Sequence, residues 1–241
     1  MTIYPAIDLR NGKCVRLFQG KADAETVYFK NPLDPALHWK EQGAEFLHVV
    51  DLDGAFTGGS HNLDAVEQIV RSSGLQVQLG GGMRDEATIA NALELGLCRV
   101  IIGTRACSEP EWIESLISKF GSDKIVVGID AKDGMVATKG WVEETQVDAL
   151  DLAKKLSSFG LRWIIHTDVA TDGAMLGPNL EAQKKMLEAV PDCNVIASGG
   201  VSRKEDLGDL NNLASEYSNL EGVIIGKALY EETIKLSDCF S

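Results

Sequence analysis

Positive charge is scarce in this chain. Against 36 acidic residues stand 23 basic ones, a formal net charge of -13 over 241 residues. Nucleic acid and anionic membranes are densely negative, so neither is an expected partner. Any anion bound here has to be gripped by local groups against an unfavourable global field. Cysteine is sparse and unpatterned: Cys14, Cys98, Cys107, Cys193 and Cys239 form no CxxC pair and no Cys/His cluster at zinc spacing. Neither a metal nor a disulfide framework is therefore expected. No apolar run is long enough to cross a bilayer, and the first residues lack a signal-like pattern, so the reducing cytoplasm is the expected compartment. The chain has no Pro- or Ser-rich linker, low-complexity tract or long charge block, which predicts one domain over residues 1–241. A dinucleotide fingerprint with its following acidic residue is also missing, and no cofactor is expected.

What the chain does have is an ordinary globular balance, 44% hydrophobic and 24% charged. Short apolar runs alternate with amphipathic stretches along its length. The runs Ile3–Ile7, Phe46–Val50, Gln76–Leu79, Arg99–Ile102, Lys124–Ile129, Trp163–His166, Asn194–Ala197 and Gly222–Ile225 have the length and β-branched content of strands buried on both faces. Helical patterns lie between them at Pro35–Gln42, Asn62–Ser72, Asp85–Leu95, Glu111–Phe120, Asp148–Phe159, Asn179–Ala189 and Arg203–Leu213. A short last helix is expected over about Ala228–Leu236. Gly43 and Gly96 follow helices where left-handed caps are favoured, and Pro110 suits a first helical position. Eight βα units of about 30 residues each use up nearly the whole chain and favour a closed (βα)8 TIM barrel over an open sheet.

The two halves of the sequence resemble one another. Ala6-Ile7-Asp8-Leu9-Arg10-Asn11-Gly12 matches Gly128-Ile129-Asp130-Ala131-Lys132-Asp133-Gly134 at an offset of 122. Leu79-Gly80-Gly81-Gly82-Met83 matches Ala197-Ser198-Gly199-Gly200-Val201 at 118, and Val100-Ile101-Ile102-Gly103-Thr104 matches Val223-Ile224-Ile225-Gly226-Lys227 at 123. Two similar (βα)4 halves closing into one pseudo-twofold barrel account for this repeat; a doubly wound sheet does not.

In a barrel the residues just past each strand share one rim, where the chemistry is done. Asp8 and Asp130 end strands 1 and 5, on opposite sides of the ring. A lone Asp followed by a turn usually caps backbone amides. Its duplication at equivalent rim positions points instead to paired acid–base carboxylates. Gly81, Gly82, Gly103, Thr104, Gly199, Gly200, Gly226 and Lys227 follow strands 3, 4, 7 and 8. Glycines there allow several backbone N–H groups to converge on a phosphate. Two matched grips predict a small-molecule substrate with a phosphate at each end. Further rim candidates are Arg84, Thr167, Asp172, Gly173, His48 and Asp51. Trp141 lies in a long loop after strand 5, where it either stacks on a planar base or plugs the loop. His38 and His61 are expected at the surface.

These residues resemble those of the histidine-biosynthesis isomerases acting on a phosphoribosylformimino-aminoimidazole carboxamide ribotide. The likeness runs through Pro5-Ala6-Ile7-Asp8-Leu9, Val15-Arg16-Leu17-Phe18-Gln19-Gly20, Leu47-His48-Val49-Val50-Asp51-Leu52 and Gln78-Leu79-Gly80-Gly81-Gly82-Met83-Arg84. It continues through Gly128-Ile129-Asp130, Lys139-Gly140-Trp141, His166-Thr167-Asp168, Thr171-Asp172-Gly173 and Ser198-Gly199-Gly200-Val201. The resemblance implies an Amadori rearrangement of an aminoaldose to an aminoketose. It makes Asp8 the general base and Asp130 the general acid, with Thr167 and Asp172 tuning them. Arg16 and Gly177 join the expected binding set, and a monomer is expected. Bifunctional relatives that also take phosphoribosylanthranilate usually carry Ser-Gly-Gly where this chain has Gly80-Gly81-Gly82, and an arginine near Gly140-Trp141. The related cyclase subunit usually starts Cys-Leu-Asp and has a lysine where this chain has Leu17-Phe18-Gln19. A phosphosugar-binding barrel without catalysis would have discarded one carboxylate, and both are present.

Overall fold

The computed structural model describes residues 1–17, 25–58, 61–138, 141 and 143–240. Lys139, Gly140 and Phe18 to Gly20, named above for their resemblance, lie outside the described residues. Eight parallel strands form the barrel: β1 (Thr2–Arg10), β2 (Phe46–Asp51), β3 (Gln76–Gly80), β4 (Arg99–Ile102), β5 (Ile125–Lys132), β6 (Trp163–Asp168), β7 (Asn194–Ser198) and β8 (Leu220–Ile225). Neighbours pair in sequence order, β8 pairs with β1, and pairing of β5 with β6 leaves no open edge in the ring. The (βα)8 topology expected from the sequence is present.

Among the described residues, seven helices of nine or more residues cover the outside: α1 (Leu33–Glu41), α2 (Leu63–Ser73), α3 (Glu86–Glu94), α4 (Pro110–Phe120), α5 (Ala149–Ser158), α6 (Leu180–Ala189) and α7 (Lys204–Glu216). In α5, Ala149, Leu152, Ala153 and Leu156 recur at helical spacing and are all buried. Asp148 caps it, accepting from the N–H groups of Leu150 and Asp151 at 2.9 and 3.0 Å, a cap worth about 1 kcal/mol. Gly43 and Gly96 have φ of 99° and 97°, as their positions after helices required. The expected eighth helix is a correction. Only Lys227–Tyr230 is α-helical, and a 3-10 turn follows at Leu236–Phe240. Glu232 adopts a φ of 55° between the two, which no continuous right-handed helix accommodates.

Each half also carries an antiparallel extension that the sequence patterns did not reveal. Lys13–Leu17 and Glu25–Phe29 follow β1, while Met135–Thr138 and Glu143–Asp148 follow β5. The latter pair occupies the segment after β5 where the sequence suggests a long loop. These strands rise above the ring and wall the mouth.

Strand alternation decides what points inward. Ile3, Ile7 and Leu9 belong to the core between β1 and the helices, whereas Tyr4 and Ala6 belong to the cluster inside the barrel. Asp8 has the inward parity. On β5, Ile125, Val127 and Ile129 face the helices and Val126 faces in, so Asp130 also has the inward parity. Ile101, Ile165, Ile196 and Ile224 fill the middle of the barrel. Its lower end is filled by Tyr4, Phe46 and Trp163 around Arg99, whose guanidinium stacks 3.7 Å from the Trp163 ring centroid. The interior is therefore a packed plug rather than a pore, with Arg99 at its lower end and Asp8 and Asp130 at its top.

Candidate active site

Asp8 and Asp130 stand four strands apart around the eight-strand ring, on the same rim. Asp8 accepts a 2.8 Å hydrogen bond from Nη1 of Arg16, a residue of the first extension. The side chains of both are mostly shielded, at 16% and 17% exposure, so solvent screens the pair weakly. Asp130 has different company. It accepts from the Trp141 indole Nε1–H at 2.8 Å and from the Thr167 hydroxyl, its register partner on β6. Trp141 adopts a φ of 69°, an uncommon backbone for a bulky side chain, which costs on the order of 1–2 kcal/mol and persists where other contacts hold it. The bond to Asp130 is one such contact, and it turns the polar edge of the indole toward that carboxylate.

Burial pushes the proton affinity of both carboxyls above the usual range. At Asp8 the Arg16 charge pulls it back, favouring the ionised form. At Asp130 the opposing influences are two neutral donors. Asp172 shares the same space. Burial raises its pKa to about 6, with Arg16 lowering it and the charges of Asp8 and Asp130 raising it. Asp172 thus senses Arg16, Asp8 and Asp130 together, which places it in one mouth with them.

The grip after β7 and β8 is a pocket lined by Arg16, Asp172, Gly173, Ser198, Gly199, Gly200, Gly226 and Lys227, among others. The grip after β3 and β4 repeats its backbone. Gly103 has φ −103° and ψ −105°, and Gly226 has φ −109° and ψ −100°; each opens a short helix, at Thr104 and Lys227 respectively. The doublet glycines have a second reason to be glycine. A Cβ on Gly81 would lie 2.1 Å from the Asp51 carbonyl oxygen, and one on Gly199 would lie 2.8 Å from that of Asp168. Gly200 is pressed in the same way against the carbonyl of Gly177, whose N–H donates back to Gly200 at 3.1 Å. Gly82 has a positive φ of 76°. Close backbone crossing by itself selects glycine at these positions.

Two expected binding residues have protein partners of their own. Asp51 is fully buried and accepts from the N–H groups of Gly54, His61 and Asn62 and from the Asn62 amide, at 2.6–3.1 Å. Its counterpart Asp168 accepts from Ala170, Thr171 and the Asn179 amide. Both carboxylates tie down rim loops, a need for buried anions that the strand-end position alone did not reveal. Arg84 is exposed and donates to the Ala55 carbonyl at 2.9 Å. His48 points into the barrel one layer below Asp8, level with Ala6. His38 and His61 are at the surface, as expected. Sequence reasoning passed over Ser198 as a lining residue, although its place opposite Gly80 in the repeat was visible. A wider, more open pocket lies between Asn11-Gly12 and the short helix Leu52–Thr57 with His61 beyond it, and it holds none of the paired groups.

The family described as "Histidine biosynthesis protein" matches residues 2–235. The chain belongs to that family. It is 52% identical over its full length to a protein of Opitutus terrae, covering 98% of that protein, and 50% identical over its full length to one of Geotalea daltonii, covering 97%. A protein of Geobacter sulfurreducens is 50% identical over 99% of this chain and 96% of its own length. All three relatives are named as imidazole-4-carboxamide isomerases of a compound bearing two phosphoribosyl groups. No helix among the described residues is long and apolar enough to cross a membrane.

Proposed function

We propose that this chain catalyses the Amadori rearrangement of the doubly phosphorylated phosphoribosylformimino-aminoimidazole carboxamide ribotide to its phosphoribulosyl form, the isomerase step of histidine biosynthesis. The observation that carries the reading is the unequal company of two equivalent carboxylates. Asp130 has neutral donors and suits the acid, which must hold a proton; Asp8 has a guanidinium at 2.8 Å and suits the base, which must be ionised. Asp130 protonates the ribose ring oxygen as the C1–O bond breaks and the exocyclic nitrogen forms a Schiff base. Asp8 then removes the C2 proton, and the enolamine tautomerises to the ketone. Asp172, with its pKa near 6, and Thr167 tune these two groups. The glycine grips hold the phosphates at either end, so the reacting carbons are set between the carboxylates without any cofactor. Full-length identity near 50% to relatives named for this reaction supports it, and those names carry one substrate. A monomer working in the cytoplasm fits this reading.

Purified protein should convert the aminoaldose to the aminoketose, followed by the change in ultraviolet absorbance. Asp8→Asn should lower kcat by about 10²–10⁴-fold while substrate binding survives. Ordinary turnover by that variant would remove the base assignment.

A further inference from the structure

His48 and Gln78 lie beneath the reacting carboxylates and have no part in the scheme above. They are register partners on β2 and β3, and Nε2 of Gln78 is 3.1 Å from Nδ1 of His48. An amide nitrogen only donates, so Nδ1 accepts and the single proton of a neutral imidazole must sit on Nε2. The amide is oriented by its other neighbour. Arg99 is the register partner of Gln78 on β4, and both side chains are buried in the barrel. Among the described residues, neither Oε1 of Gln78 nor Nη1 of Arg99 has a hydrogen-bond partner. The permanent charge of Arg99 on the β4 side favours the amide orientation that turns its NH₂ toward His48. The imidazole is only partly buried. With the lower barrel filled, its open edge faces the mouth.

We propose that Gln78 is a positioning residue that locks His48 as the Nε2–H tautomer, so that the ring presents a fixed neutral donor to an oxygen of the substrate's sugar. This rests on the isomerase reading. Burial, reinforced by the Arg16 charge, brings His48 down to about 3, so the ring stays uncharged at neutral pH. A neutral donor adjusts the sugar's orientation without competing with Asp130 for the role of acid. Both phosphates are held elsewhere, so a disturbed tautomer should appear in kcat more than in KM.

Nitrogen-15 imidazole spectra of the full chain, with His48→Asn used to assign the signal, read the tautomer directly. The wild type should carry its proton on Nε2. Gln78→Glu, which offers only acceptors, should move it to Nδ1 and lower kcat about 10- to 100-fold, with KM changing less than about threefold. Gln78→Met, which keeps the length but loses the donor, should give mixed tautomers and an intermediate kcat. Thermal unfolding of each variant checks that it is folded. A wild-type proton on Nδ1, or unaltered kcat in both variants, overturns the proposal. Because the tautomer is read in the free protein, an inactive wild type would sink the isomerase reading while the spectra still decide this one.

Discussion

Gly226 offers a way to loosen the base from its cation without touching either. A Cβ at this position would come 1.7 Å from Nη2 of Arg16 and 2.5 Å from its Cζ. Carbon contacts settle near about 3.5 Å, so in Gly226→Ala the guanidinium has to retreat by roughly 1.8 Å. The obstructed atoms are the far end of a flexible side chain, so the protein should still fold. With charge centres moving from about 4 to about 5.8 Å and an effective dielectric of about 20, the attraction to Asp8 falls by about 1.3 kcal/mol. That is close to tenfold in the rate wherever the base is limiting. The direction follows from linkage. Arg16 favours ionised Asp8, so its retreat raises the proton affinity of Asp8 and moves the acid limb of the kcat/KM profile to higher pH. Gly103→Ala is the matched control. Its backbone angles are nearly the same, but nothing lies within 4 Å of the added Cβ. Both variants share whatever a methyl does to this loop and to a nearby phosphate. Only Gly226→Ala should shift the acid limb. Coincident acid limbs in the two variants, measured with the aminoaldose from about pH 5 to pH 9, would refute the argument that Arg16 sets the state of the base.

Trp141→Phe deletes the indole donor to Asp130, a neutral hydrogen bond worth about 1 kcal/mol. Because that bond favours the ionised acid, its loss should move the basic limb to higher pH and lower kcat about fivefold; a shift to lower pH would contradict the assignment. Asp51→Ala strands three backbone N–H groups and the Asn62 amide, and should cost about 4 kcal/mol in urea unfolding. Asp168→Ala loses three bonds in a less buried place and should cost about 2–3 kcal/mol; the reverse order would show that burial does not govern the difference.

The ring of strands was legible because each barrel strand is a compact apolar run with turn residues after it. Asp8 and Asp130 were legible because they occur twice in one pattern. The extensions were not, since Lys13–Leu17 and Met135–Thr138 are only five and four residues long and fold back antiparallel onto β1 and β5. Asp51 and Asp8 look alike in sequence, each an acid near the end of an apolar strand. Parity separates them: Asp8 shares its face with Tyr4 and Ala6, while Asp51 shares its face with Leu47 and Val49, which belong to the outer core. That distinction needs the register of the sheet. Gln78 carried a weak signal, a polar residue inside a buried run, but its meaning depended on neighbours contributed by β2 and β4.

Duplication by itself would give two identical carboxylates, and identical groups cannot divide the labour of acid and base. The extensions break the tie. In the first, Leu9 pairs with Cys14; in the second, Ala131 pairs with Val136, each 122 residues on. Carried two residues further, the same register sets Arg16 in one half against Thr138 in the other. Under the proposed mechanism the half with the guanidinium holds the carboxyl that must lose its proton. The half with the threonine holds the carboxyl that must keep one, and receives from Trp141 a donor with no formal charge. A cation at position 138 should therefore erode the difference between the two groups, favouring an ionised Asp130 in the same direction that Arg16 favours an ionised Asp8. On this argument one position in a short antiparallel strand, rather than the barrel itself, tells the two ends of the reaction apart.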